Sequence, residues 1–314
     1  MADSADRVAG AAVDLAWSLW RELGVPGVVR QHEGWLVVPE PLILFTGALR
    51  DRDRRLRDQA VAWCVHYLPL VSTTALRHTY TRERWPVSVI ADTAATMARE
   101  ARANWVGREE GSPFPVSARF EPWGDPFAEP GGLTLRIRSA FGVGARAEVL
   151  RALLLEYPAE PTMAELADAA FATKRHTADA VQHLEWSGLV AVDRRRQPFR
   201  LRLRKRDDLA ALVQPLPSGT ADWGPLLRFV AGCVEALTDI AELPEELAAP
   251  ELHRRLRHLG DQVSRLRLEP PVVSGSGYRA VTSEWLVDII DRLAAGRGKN
   301  PLVRTVDGSR GFHG

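Results

Sequence analysis

Cysteine is nearly absent: Cys64 and Cys233 are the only two, and they lie far apart in the chain. Two thiols make neither a disulfide framework nor a four-cysteine zinc site, and their scarcity fits a reducing cytoplasm. Lysine is almost as scarce, with Lys174, Lys205 and Lys299 the only three among 41 basic residues. Arginine therefore carries the positive charge, which a GC-rich genome explains without any partner. No run of about 18 apolar residues occurs, and Asp3, Asp6, Arg7 and Asp14 interrupt the apolar residues of the first stretch. Neither a membrane span nor a signal-peptide core is expected. The expected location is the cytoplasm.

Motifs that carry chemistry are also missing. The eight histidines (His32, His66, His78, His176, His183, His253, His258 and His313) include no HExxH and no cluster with zinc spacing. There is no GxxxxGK[ST] phosphate loop and no GxSxG nucleophile elbow. The SGSG at Ser274 to Gly277 reads as a flexible connector. The chain is expected to be no enzyme and to need neither cofactor nor metal.

What is present is a folded composition, with 314 residues, 46% of them hydrophobic and 26% charged. That length excludes a single small module. The fold class expected is mainly α with short β hairpins. Val8, Ala12, Leu15 and Leu19 mark a first amphipathic helix stopped by Gly24 and Pro26. GWLVV from Gly34, PLILF from Pro41, VSARF from Val116 and LTLRIR from Leu133 are expected as short strands. LRDRDRRLRDQAVAWCVHYL and the stretch from Pro86 to Trp105 are expected as helices. Ser72 is an N-cap candidate, and its helix with the one before it leaves open a second helix-turn-helix. QPLPSGTADWG reads as a linker. Beyond it, Leu226 to Leu237 marks a helix ended near Pro244. Leu252, Leu256, Leu259, Val263 and Leu266 follow at the spacing of a narrow helical seam, and Ser283 is expected to cap a last helix. The organisation expected is a mixed α/β domain over 1–138, a unit of three helices and a hairpin over 139–206, a helical domain over 207–295 and a flexible tail over 296–314.

The unit from Gly142 to Arg206 is the most specific part. Val149, Leu150, Leu153 and Leu154 stripe a first helix that ends at Pro158, and Thr162 with Glu165 forms a capping box for a second. Thr173 caps a third, whose Ala180, Val181, Leu184 and Trp186 are expected to turn inward, and Gly188 stops it. A strand from Leu189 to Val192, an RRRQP turn and FRLRLR follow, with Phe199, Leu201 and Leu203 on one face and Arg200, Arg202 and Arg204 on the other.

Three helices and a hairpin, with LEWSGLV from Leu184 to Val190 at the junction, resemble the winged helix-turn-helix DNA-binding domain of bacterial transcription regulators of the MarR and ArsR type. The resemblance covers this segment alone. It implies a sequence-specific reader of double-stranded DNA acting as a homodimer. The chain lacks the helix cysteines of the metal-sensing ArsR proteins.

A helix in the major groove reads base edges through side chains near its N-terminus, here Thr173, Lys174, Arg175, His176, Thr177, Asp179 and Gln182. A hairpin tip bearing Arg194, Arg195 and Arg196 suits phosphates or the minor groove. Phe171 to Arg206 holds ten basic residues against three acids, in a chain whose net charge is only +1. Genome bias inflates arginine everywhere and does not concentrate it. An effector ligand or protein partner is expected for the flanking segments. The alternative is a winged-helix interaction or adaptor subunit, antitoxin-like or part of a defence system.

Overall fold

The computed structural model describes residues 2–27, 30–116, 119–155, 159–273, 277–296 and 303–305. The chain order is α1 (Ala2–Glu22), α2 (Pro39–Ala48), α3 (Arg54–His66), α4 (Thr73–Arg82), α5 (Ala91–Ala101), α6 (Leu133–Phe141), α7 (Ala145–Leu154), α8 (Met163–Ala169), α9 (Lys174–Trp186), β1 (Val190–Asp193), β2 (Arg200–Leu203), α10 (Arg206–Leu212), β3 (Gly219–Ala221), α11 (Trp223–Ile240), α12 (Glu245–His258), α13 (Gly260–Arg265), α14 (Tyr278–Ala294) and β4 (Val303–Thr305). The protein is mainly helical with two short antiparallel strand pairs, the β1–β2 hairpin and β3 with the distant β4. No helix among the described residues is long and apolar enough to cross a membrane.

Two expected strands are helices. PLILF lies in α2, where every residue from Pro39 to Gly47 is buried. A short apolar run buried on all sides has no telling period, and Pro39 with Pro41 in the first turn supplies the φ a helix start needs. LTLRIR lies in α6. Its alternation misleads because its arginines are used inside the protein. Arg136 donates to the carbonyls of Val213, Phe127 and Glu129, and Arg138 is fully buried between Glu40 and Glu148.

GWLVV forms no strand beyond a single parallel bridge from Trp35 to Gly219. The described part of VSARF (Val116, Arg119 and Phe120) has no regular structure. QPLPSGTADWG is no plain linker: it carries β3, and Thr220, Ala221 and Trp223 are buried, with the Trp223 indole donating to the Leu36 carbonyl at 2.7 Å. Ser283 lies within α14 rather than at its start, and the 252–266 stretch breaks at Leu259 into α12 and α13. The SGSG connector apart from Gly277, Pro158, and the tail beyond Gly296 apart from β4 lie outside the described residues.

Helix α1 packs along α14 and α11, and α11 also packs on α2, α12 and α13. Trp20, Trp63, Phe45, Trp223 and Phe229 are buried in this core. Leu252 and Leu259 are buried in the same chain, so much of the helical seam is spent internally. Helix α6 runs across the 138/139 boundary and packs on α7.

His32 fastens the two ends of the chain together. Its Nε2 lies 2.8 Å from the Leu293 carbonyl and its Nδ1 2.8 Å from Ser18 Oγ, which already accepts from the amides of Gln31 and His32. The serine proton must then point at Nδ1, which fixes the neutral ring with its proton on Nε2. Burial pulls its pKa from 6.5 to about 4. Neutral His32 stabilises the fold above pH 6.5, and that contribution, about 3 kcal/mol, is lost as the pH falls through this window. Asp222, pushed up to about 6 by burial, acts in the opposite sense over nearly the same range. The clean test is therefore a difference: between pH 7 and pH 4 the urea midpoint of His32→Gln is expected to fall less than that of the parent.

Candidate nucleic-acid interface

Within 142–206 the helix caps, the glycine stop and the hairpin form where the sequence places them. Thr162 Oγ1 accepts from the Glu165 amide at 3.2 Å while Glu165 returns a bond to the Thr162 amide at 2.8 Å. Those bonds hold the Glu165 carboxyl below the usual carboxylate range. Thr173 caps α9 by accepting from the His176 amide at 3.3 Å. Gly188, at φ +74°, ends α9 in the left-handed conformation that glycine takes without steric cost. The chain then enters β1, which pairs with β2 in the register Val190 to Leu203 and Asp193 to Arg200. The Leu201 amide donates to the Pro161 carbonyl at 3.0 Å, which ties the hairpin to the start of α8.

Helix α9 buries Thr177, Ala180, Val181 and Leu184 against α7, α8 and β1. Lys174, Arg175, His176, Asp179 and Gln182 are exposed on its other side, together with Thr173 at its cap. Thr177 departs from the candidate set: it is fully buried, and its hydroxyl donates to the Thr173 carbonyl at 3.0 Å. It packs the helix and presents nothing to a ligand.

Trp186 departs the other way. It was expected inside and is 72% exposed, with its ring edge-on to His183 at 5.3 Å. Two residues beyond Leu184, it sits well off the inward stripe, so helical spacing already placed it outside. His183 and Arg146 are further residues outside the candidate set. They line a cleft of about 370 Å³ with His176, Asp179 and the Gly142–Gly144 turn, where the start of α7 meets α9.

The hairpin arginines divide into two groups. Arg194 makes a two-pronged pair with Glu185 at 2.6 and 2.7 Å, which holds Glu185 below its usual range. Arg196 meets Glu160 at 3.2 Å and Asp193 at 3.5 Å, and Arg200 meets Glu165 at 3.3 Å. Arg195, Arg202 and Arg204 are exposed, with no carboxylate of the described residues at ion-pair distance. Charge counting along 171–206 missed Glu160 and Glu165, which answer two of the arginines from outside that window.

The Arg194–Glu185 pair also fixes where the hairpin tip lies. Glu185 is eleven residues beyond Lys174 on α9, roughly 16 Å along the axis at 1.5 Å per residue. The structure thus keeps the helix-start patch and the tip arginines apart as two surfaces. No protein-family model, curated protein or solved structure matches the chain.

Proposed function

We infer that residues 142–206 form a winged helix-turn-helix that binds double-stranded DNA, with α9 in the major groove and the β1–β2 wing on the backbone or minor groove, and that the protein regulates transcription. The observation that carries this reading is the pair of separate exposed surfaces. One is a polar helix start bearing Lys174, Arg175, His176 and Gln182; the other is a hairpin bearing Arg195 and Arg202, which have no ion pair among the described residues, with Arg204, which feels Glu185 at longer range, beside them. Guanidinium groups without protein counter-ions are free to displace counter-ions from phosphates. Arg and Gln at a helix start match the guanine and adenine edges of the major groove. In this reading two copies of the chain bind a two-fold site, with contacts that do not rely on the internally spent Leu252 and Leu259.

A second reading has its own observation. Trp186 at 72% exposure, with Phe199 at 42%, offers apolar surface suited to a protein partner, which favours an adaptor role.

Duplex binding at several salt concentrations, with genomic fragments that include the region upstream of the gene, separates the two. Tight, salt-sensitive and site-selective binding supports the DNA reading, and no binding at low salt overturns it. Arg195→Ala is expected to weaken every duplex alike and to reduce the salt slope by about one unit. Arg175→Ala should instead cost about 1–3 kcal/mol at the preferred site only. Equal behaviour of the two variants contradicts this division of roles.

A further inference from the structure

Outside the unit from 142 to 206, one partly buried cation makes no ion pair among the described residues. Arg228 on α11 is half-buried, no carboxylate of the described residues comes within ion-pair distance, and its buried Nε–H meets no acceptor. Its guanidinium lies over the Trp85 ring, 5.3 Å from the centroid. Trp85 is only 4% exposed, and its indole N–H is likewise buried without an acceptor. Two neighbouring donors, one of them charged, are therefore unanswered, which is costly inside a protein. Burial pulls the Arg228 guanidinium below its usual value, with Glu235 only partly opposing.

Both residues line a cleft of about 470 Å³ between the α2–α3 turn and α11, walled by Pro86, Val89, Ala231 and Val234. Arg228 also borders a second cleft of about 430 Å³, lined by Arg84, Arg254, Arg255 and His258. A Cβ at Gly232 would sit 2.7 Å from Leu259 and 3.1 Å from Arg228 Nη1, so glycine there makes room for Leu259 first and for the guanidinium second.

The other charges around the first cleft are already engaged. Arg50 donates to the Ser88 carbonyl at 2.7 Å and lies 3.7 Å from Asp51; Arg52 donates to Thr238 at 2.8 Å. Arg255 holds Glu235 at 3.3 Å and Asp239 at 2.7 Å. Exposed Arg84, on the second cleft, has no ion pair among the described residues.

We propose that Arg228 and Trp85 form the floor of a binding site for a small organic phosphate carrying a flat ring, the ring against the wall of Pro86, Val89, Ala231 and Val234 and the phosphate between Arg228 and Arg84. A guanidinium fork matches phosphate oxygens, the Trp85 ring lies beneath that guanidinium and reports on it, and clefts of this size suit small ligands. The site uses no residue of 171–206, so it stands or falls independently of DNA binding.

The test is titration of the full chain labelled with ¹⁵N-tryptophan. Each indole gives one resonance, and Trp85→Phe assigns the one of interest. Phenyl phosphate is the probe, with inorganic phosphate and phenol as its separate halves. The Trp85 resonance is expected to shift saturably with phenyl phosphate, and each half should bind at least about tenfold more weakly.

Arg228→Gln should weaken phenyl phosphate by about tenfold or more while the other indole resonances stay in place. Exposed Glu235→Gln, which removes a nearby negative charge, should tighten it, an effect that damage to the fold would not produce. No shift of Trp85 at millimolar phenyl phosphate overturns the proposal. So do equal affinity in the Arg228→Gln protein and weaker binding in the Glu235→Gln protein.

Discussion

Arg138→Ala is expected to destabilise the protein by about 3–5 kcal/mol, the cost of leaving buried charge unpaired. The guanidinium is completely covered. It donates to Glu148 at 2.7 Å, to both oxygens of Glu40 at 2.7 and 3.0 Å, and to the Leu70 carbonyl at 2.8 Å. Glu40 also accepts from the Ser72 amide, and Glu148 from Arg151, whose other end donates to the Ala169 carbonyl. One side chain thus joins α2, α6 and α7, and reaches through Arg151 to the turn that precedes α9. Removing it leaves the buried Glu40 carboxylate with the Ser72 amide but no cation, and Glu148 with Arg151 alone. Against a total stability of about 5–15 kcal/mol, that loss leaves a marginal fold.

The loss should depend on pH in a telling way. Burial alone would raise the Glu148 carboxyl, yet Arg138 and Arg151 hold it below the usual range. Without Arg138 its folded-state pKa rises, so protonation at lower pH relieves part of the penalty. The gap between the urea midpoints of the parent and Arg138→Ala should be smaller at pH 4.5 than at pH 8. A gap that is small at pH 8, or that does not change with pH, would show that the network contributes little.

The second large effect concerns the hairpin. The double variant Arg195→Glu, Arg202→Glu is expected to lose roughly hundredfold or more in duplex affinity at low salt, because it replaces two attractions to phosphate with two repulsions. Neither side chain holds an ion pair among the described residues, and both are exposed, so the circular dichroism spectrum and urea midpoint should not move. Electrophoretic mobility shift across a salt series measures the loss. Unchanged affinity would show that this hairpin is not the contact. The exposed Trp186 surface would then become the leading candidate, to be tested by Trp186→Ala on partner capture.

What could be read from the sequence was local. The Thr162 capping box, the Thr173 cap, the left-handed Gly188 and the hairpin after it each depend on a few neighbouring residues, and each formed as expected. What failed depends on tertiary placement. An apolar pentapeptide such as PLILF reads as strand or helix until its surroundings are known, and the arginines of LTLRIR looked like a solvent face because their carboxylate and carbonyl partners lie far away in sequence. The same distance hid Glu160 and Glu165, which temper the hairpin charge. Trp186 was a different error: its residue type was allowed to outweigh its position on the helix. Arg228 and Trp85 gave no local signal at all, since nothing in their immediate sequence announces two unanswered donors beside a cleft.

Helix α1 leans on α14, its main partner, with His32 and Leu293 closing the same seam. In order of synthesis these are the first and last helices of the described chain. At about 5–20 residues per second, roughly 250 residues and some 13–50 s separate them on the ribosome. Throughout that interval α1 lacks its main partner and has only the earlier-made helices α2 and α11 to pack on. The exposure of α1 to aggregation therefore lasts until α14 has been made, and it is set by the order of the helices along the chain rather than by their composition.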